Sequence, residues 1–200
     1  MKKLKHELDI LRFTKQIKAD PDNPAFYVNR GFSYYYNGQY DLAISDFTKA
    51  IGLEPDFFTP YNNRGNSYIQ TCQYELAIED FTKAIGLKPK NGIPYNNRGF
   101  AYMMMGMLKE AEADIKKSLE LNPNNIYALN SMAELYAAKN DAEETCKWLK
   151  KAIEKGYNNW RYIKTSRTYD NIRDAECFKR IEQKGRNIGD AGIEPATSSV

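Results

Sequence analysis

The chain is 200 residues long, 42% hydrophobic and 28% charged, with a formal net charge of +3. That is enough apolar material for a buried core, and charges interrupt every run short of the roughly 20 apolar residues a membrane-spanning helix needs, so a soluble chain without a membrane partner is expected. Residues 1–9 carry charges where a secretory leader would be apolar, which points to a cytoplasmic location. Cys72, Cys146 and Cys177 are odd in number and far apart, as expected of reduced thiols packed as small side chains.

A period of 34 residues is visible from the start. Phe13, Ile17 and Pro21 stand one period before Phe47, Ile51 and Pro55, so residues 1–23 read as a lone capping helix, the second half of a repeat. Residues 24–57, 58–91, 92–125 and 126–157 then each predict a pair of helices, A and B. Tyr27-Val28-Asn29-Arg30-Gly31 recurs as Tyr61-Asn62-Asn63-Arg64-Gly65 and Tyr95-Asn96-Asn97-Arg98-Gly99, and Asp46-Phe47-Thr48-Lys49-Ala50-Ile51 recurs as Asp80-Phe81-Thr82-Lys83-Ala84-Ile85. Asn37-Gly38 and Met105-Gly106 separate A from B, and Pro55, Pro89 and Pro123 close repeats because proline cannot continue a helix. Residues 158–186 keep apolar anchors at helical spacing (Trp160, Ile163, Ile172, Phe178, Ile181) and predict a helical cap. Residues 187–200, nearly without anchors, predict a disordered tail. Helix pairs repeated at such a period stack, because one pair alone cannot bury its apolar face.

The repeated positions are Gly31, Gly65, Gly99 and Ala133; Tyr34, Tyr68, Tyr102 and Tyr136; Ala43, Ala77, Ala111 and Thr145; and Phe47, Phe81, Ile115 and Leu149. This pattern resembles the tetratricopeptide repeat family. The resemblance implies an all-α fold, a right-handed α-solenoid of tetratricopeptide-like helix-turn-helix repeats. It also implies a protein–protein interaction scaffold or adaptor whose A helices line a groove. The cap resembles the closing segment that follows bacterial repeats of this kind.

No catalytic residues, metal site or cofactor are expected, and the chain does not read as an enzyme. It has one histidine, His6, no paired cysteines at zinc or redox spacing, and no Gly-rich phosphate loop. Most of its tyrosines fall at repeat core positions. Arg30, Arg64 and Arg98 stand where the family usually has leucine, and the same repeats carry Asp46, Asp80 and Asp114; repeat four replaces both, with Met132 and Trp148. This joint change predicts three two-point Arg–Asp pairs between helices, with anion binding by the arginine row as the alternative.

The groove positions implied by the resemblance include Asn29, Phe32, Tyr35 and Tyr36 in repeat one, and Asn62, Asn63, Asn66 and Ile69 in repeat two. Repeat three supplies Asn96, Asn97, Phe100, Met103 and Met104, and repeat four Asn130; Glu134 is the one charged residue in these rows. An amide both donates and accepts, so Asn29, Asn63 and Asn97 at one repeat spacing could hold the backbone of an extended, largely uncharged peptide. They resemble, in position and residue type, the asparagine ladder of the superhelical repeats in O-linked N-acetylglucosamine transferase. Capping or solvating helix A is the plainer role for the same residues. The methionines and aromatics would add apolar pockets tolerant of varied side chains.

The family's chaperone-tail binders grip a carboxylate with Lys and Arg. The equivalent positions here (Val28, Phe32, Asn63, Ile93 and Asn97, or one repeat on, Asn62, Asn66, Asn97, Tyr127 and Ser131) offer no cation, which argues against chaperone C-terminal tails as partners. Residues 147–186 hold 12 Lys/Arg against 5 Asp/Glu, whereas 24–146 hold 11 against 15. This basic end leaves open a nucleic-acid or acidic partner, although its interspersed acids argue against nucleic acid. Stacking of chain ends leaves self-association open, as a self-assembling structural element.

Overall fold

The computed structural model describes residues 2–189, and side chains over 4–185. Its helices are α1 (Lys2–Ala19), α2 (Pro24–Tyr36), α3 (Tyr40–Leu53), α4 (Phe58–Gln70), α5 (Tyr74–Leu87), α6 (Gly92–Met104), α7 (Leu108–Leu121), α8 (Ile126–Ala138), α9 (Ala142–Glu154), α10 (Trp160–Thr165) and α11 (Glu176–Gly189), with a 3-10 segment at Arg167–Ile172. The described residues form an all-α solenoid of helix-turn-helix repeats with no strand. Helices α2, α4, α6, α8 and α10 start 34 residues apart, and so do α3, α5, α7, α9 and α11. The period therefore continues through 158–186, read from sequence only as a cap. Helix α11 runs on past 186 to Gly189, so the expected tail would begin later; residues 190–200 lie outside the described residues.

Local chemistry sets the helix ends. Asn23, Asn91 and Asn125 each accept a hydrogen bond from a backbone N–H in the first turn of α2, α6 and α8, satisfying donors the helix itself leaves unpaired. The A–B turns pass through left-handed backbone at Gly38, Cys72, Gly106 and Asn140, a conformation that costs residues other than glycine, Asn least among them.

The chain divides into two compact units, 1–107 and 108–200, so the boundary falls inside the third repeat, between α6 and α7. In the first unit the core is a small set of side chains used repeatedly: Ala43, Phe47 and Ala50, then Ala77, Phe81 and Ala84, all fully buried. A Cβ added at Gly31 would lie 2.8 Å from the Phe47 ring, and one at Gly65 2.7 Å from Phe81; these helices touch where only glycine fits.

An arginine clasp joins the same helices. Arg30 donates from Nε and Nη2 to the two Asp46 carboxylate oxygens, both at 2.7 Å, and from Nη1 to Thr14 Oγ1 at 3.1 Å. Arg64 repeats this on Asp80 (2.8 Å twice) and Thr48 (2.9 Å), and Arg98 Nη1 reaches Thr82 (2.9 Å). Thr and Asp stand 16 residues before and after their arginine, so one guanidinium ties helix A to its own helix B and to the B before it. The rings of Tyr27 and Tyr34 lie within 5.9 Å of the Arg30 Cζ, and those of Tyr61 and Tyr68 within 5.9 Å of the Arg64 Cζ, a cation–π contact that also excludes water. The expected two-point pairs are thus present at Arg30–Asp46 and Arg64–Asp80. Burial pushes the Asp80 carboxyl up, while Arg64 beside it pulls it down. Such a pair is costly to break singly more than it is a large net gain.

In the second unit a continuous apolar core (Leu129, Ala133, Leu149, Ala152, Ile163, Tyr169 and Phe178) joins α8, α9, α10, the 3-10 segment and α11. Cys146 of α9 and Cys177 of α11 form a disulfide, which corrects the expectation of three reduced thiols; Cys72 remains free and exposed. The pair is 31 residues apart, one helical turn short of the repeat, and that places the two cysteines on facing B helices. Parity and distance along the chain hid this, and with it goes the thiol argument for a reducing compartment.

Candidate functional site

The predicted groove residues of repeats one to three lie on α2, α4 and α6, all in the first unit. None of them is charged. Asn29 is exposed, Asn62, Asn66 and Asn97 are half-buried, and Asn63 and Asn96 are buried. The amides bond one another: Asn97 Nδ2 donates to Asn62 Oδ1 (3.3 Å) and Asn66 Oδ1 (3.1 Å), and Asn62 Nδ2 donates to Asn63 Oδ1 (3.3 Å). Asn97 thus ties α6 to α4, and the open row of three equivalent amides becomes one exposed amide and an interhelical network. The equivalents of Asn62 and Asn66 one repeat earlier are Val28 and Phe32, which have no side-chain acceptor. Asn63 Nδ2 is accordingly buried without a partner, a cost a native fold rarely leaves unanswered.

The aromatic residues gather at the α1 end of this face. Tyr36 stacks between His6 (5.5 Å between centroids) and Phe32 (5.8 Å), and Tyr35 meets Tyr36 edge-on at 5.4 Å. Tyr36 and Met104 are about half exposed, Phe100 is half-buried and Ile69 packs against the Phe81 core. Met103 is buried.

Asn130 leaves the open row altogether. It is 6% exposed, donates from Nδ2 to Glu134 Oε1 (2.9 Å) and accepts from Tyr169 Oη (3.2 Å). Helix α8 is covered by the C-terminal segment, which sequence reasoning placed only as a cap. Glu134, 3% exposed, has its carboxyl pushed up to about 7 by burial, against the pull of hydrogen bonds with Tyr162 and Asn130. Burial also pushes Tyr162 up to about 12. The available signal was Glu134 itself, the single charge in otherwise neutral rows.

The basic segment spends part of its charge internally. Lys147 pairs with Glu144, Arg180 with Glu176, and Arg173 with Asp170 and Glu182 while donating to the Ser166 carbonyl. Among the described residues, no His/Cys/Asp/Glu group could hold a metal ion, and no helix is long and apolar enough to cross a membrane.

Family comparison matches the Tetratricopeptide repeat at residues 24–57, 59–91 and 93–125, and a second model of that description at 115–147. The sequence has no match among curated proteins. Among solved structures, MamA is 28% identical and aligns over 73% of this chain and 85% of its own, with a TM-score of 0.65. The first such domain of Spaghetti (RPAP3), solved with the HSP90 peptide SRMEEVD, is 29% identical over 58% of this chain and 92% of its own (TM-score 0.56). A chain of the APC/C hetero-tetramer Cut9–Hcn1 aligns over 92% of this chain and 37% of its own (TM-score 0.77) at 16% identity, which speaks to fold alone.

Proposed function

The chain belongs to the tetratricopeptide repeat family and is a protein-interaction scaffold, and from that premise we propose that the α2–α4–α6 face holds an extended, largely uncharged segment of a protein partner. The observation that carries this reading is the chemistry of the face: amides and apolar rings, with no charged side chain at any groove position. Asn29 and the outer edges of Asn62 and Asn66 would meet the partner's backbone, while Tyr36, Phe32 and Met104 would take its apolar side chains. An acidic tail such as the peptide bound by the Spaghetti domain finds no cation at these positions, so chaperone tails fit poorly. In this reading residues 1–23 act as a half-repeat covering one end of the stack, 24–157 as the four repeats, and 158–186 as its closure.

The test is selection of displayed peptides on the full chain, followed by calorimetric titration at low and high salt. Neutral extended peptides should be selected and should bind almost independently of salt, because little charge is there to be screened. Asn29→Ala with Tyr36→Ala should weaken binding at least tenfold while leaving the unfolding midpoint nearly unchanged. Selection of acidic ligands that salt elutes would favour the basic 147–186 segment instead and sink the groove.

A further inference from the structure

The fifth helix pair departs from the others at one point. Helix α10 begins on the period but stops after 6 residues at Ser166, whose extended backbone leads into the 3-10 segment. That stretch lies on α8. Tyr169, fully buried, donates to Asn130 Oδ1, Asn171 Nδ2 donates to the Ala137 carbonyl at 2.6 Å, and Tyr162 hydrogen-bonds Glu134. By the repeat, Asn130 and Glu134 correspond to Asn62 and Asn66 on α4 two periods earlier. Residues 160–172 therefore stand on α8 where α6 stands on α4, whose Asn62 and Asn66 accept from Asn97 of α6.

The join is built around a carboxyl whose neighbours carry no charge. Facing Glu134 are Asn130 from its own helix, Tyr157 from the loop after α9, Tyr162 from α10 and Tyr169 from the 3-10 segment. Arg173, at the end of this stretch, is committed to Asp170, Glu182 and the Ser166 carbonyl. A carboxylate closed in this way has no partner cation to offset its lost hydration.

We infer that residues 160–172 close the α8 face as the next element of the stack, and that ionisation of Glu134 loosens them, so that this face opens as pH rises. What the opened face would bind rests on the groove reading above; the opening itself does not. Glu134 holds its proton more tightly closed (about 7) than at its ordinary value of 4.5. The closed form is therefore fully favoured below pH 4.5, and its advantage is lost as pH rises through 7, by roughly tenfold per pH unit within that window. The Cys146–Cys177 bond keeps α11 on α9, which confines the release to the stretch between them.

Hydrogen exchange read by mass spectrometry on the full chain, disulfide intact, at pH 5 and pH 7.5 and corrected for intrinsic rates, tests this. Opening of 160–172 should rise by one to two orders of magnitude, about what one linked proton allows, while α9 peptides hold their protection. Glu134→Gln should keep the segment closed at both pH values, and Tyr169→Phe should loosen it at both. Equal pH dependence in wild type and Glu134→Gln, or loss of protection across α8, α9 and α11 together, would overturn the inference. An opened face that still binds no neutral peptide would count against the groove reading and not against the release.

Discussion

The two units share one backbone period and hold it with different chemistry. In residues 1–107 small alanine–phenylalanine cores are tied across helices by repeated arginine clasps, each needing a threonine and an aspartate at fixed distance. In residues 108–200 the equivalent arginine and aspartate positions of repeat four are Met132 and Trp148. There a larger apolar core, a disulfide and a buried carboxyl replace the clasp. The contrast teaches that one backbone period can be held either by polar, geometry-bound contacts handed from pair to pair or by a broad apolar core shared among pairs.

The largest effect that would sharpen this contrast is on the disulfide. Cys146→Ser with Cys177→Ser should destabilise the second unit by about 3–4 kcal/mol, the loop-closure value for a link of this length. Followed by hydrogen exchange, the loss should be confined to residues 108–189. Next, Arg64→Leu and Asp80→Leu should each cost about 2 kcal/mol, because each leaves a partly buried ion alone. Their double mutant should recover part of this, with a coupling on the order of 0.5–3 kcal/mol; additive losses in urea titrations would break the clasp. Gly65→Ala should cost about 1–2 kcal/mol by overpacking Phe81, and Phe81→Leu should relieve it. The smallest effect separates two asparagines. Asn97→Ala, losing two interhelical bonds, should cost about 1 kcal/mol, whereas Asn63→Ala loses one bond within α4 but also removes an unsatisfied donor, and should cost less; equal losses would remove the distinction.

Much of the fold was legible because the period is strict and its breakers, Pro55, Pro89 and Pro123, repeat with it. The Arg–Asp pairing was readable from joint change within one chain. The threonine arm was not, since Thr14, Thr48 and Thr82 face outward in any helix-by-helix reading and gain meaning only when consecutive B helices are placed side by side. The site was less legible for a similar reason. Position in a repeat shows which face an asparagine is on, but whether its amide is free depends on what the neighbouring helix offers: Asn62 and Asn66 present acceptors where Val28 and Phe32 present none. The cover over Asn130 was invisible because it comes from a helix that breaks at Ser166, where no proline or glycine marks the break.

The clasp also bears on how such a chain can lengthen. Arg30 and Arg64 each look 16 residues back and 16 forward, so a tandem duplication of residues 58–91 brings its own arginine and aspartate and meets the preceding threonine already in place. Growth by whole periods leaves no contact unmade, while an insertion of any other length within the clasped region strands a guanidinium. A stack with this wiring can acquire repeats in single genetic steps, provided they enter among the clasped pairs, since the disulfide and buried carboxyl of the second unit have no counterpart there to hand on.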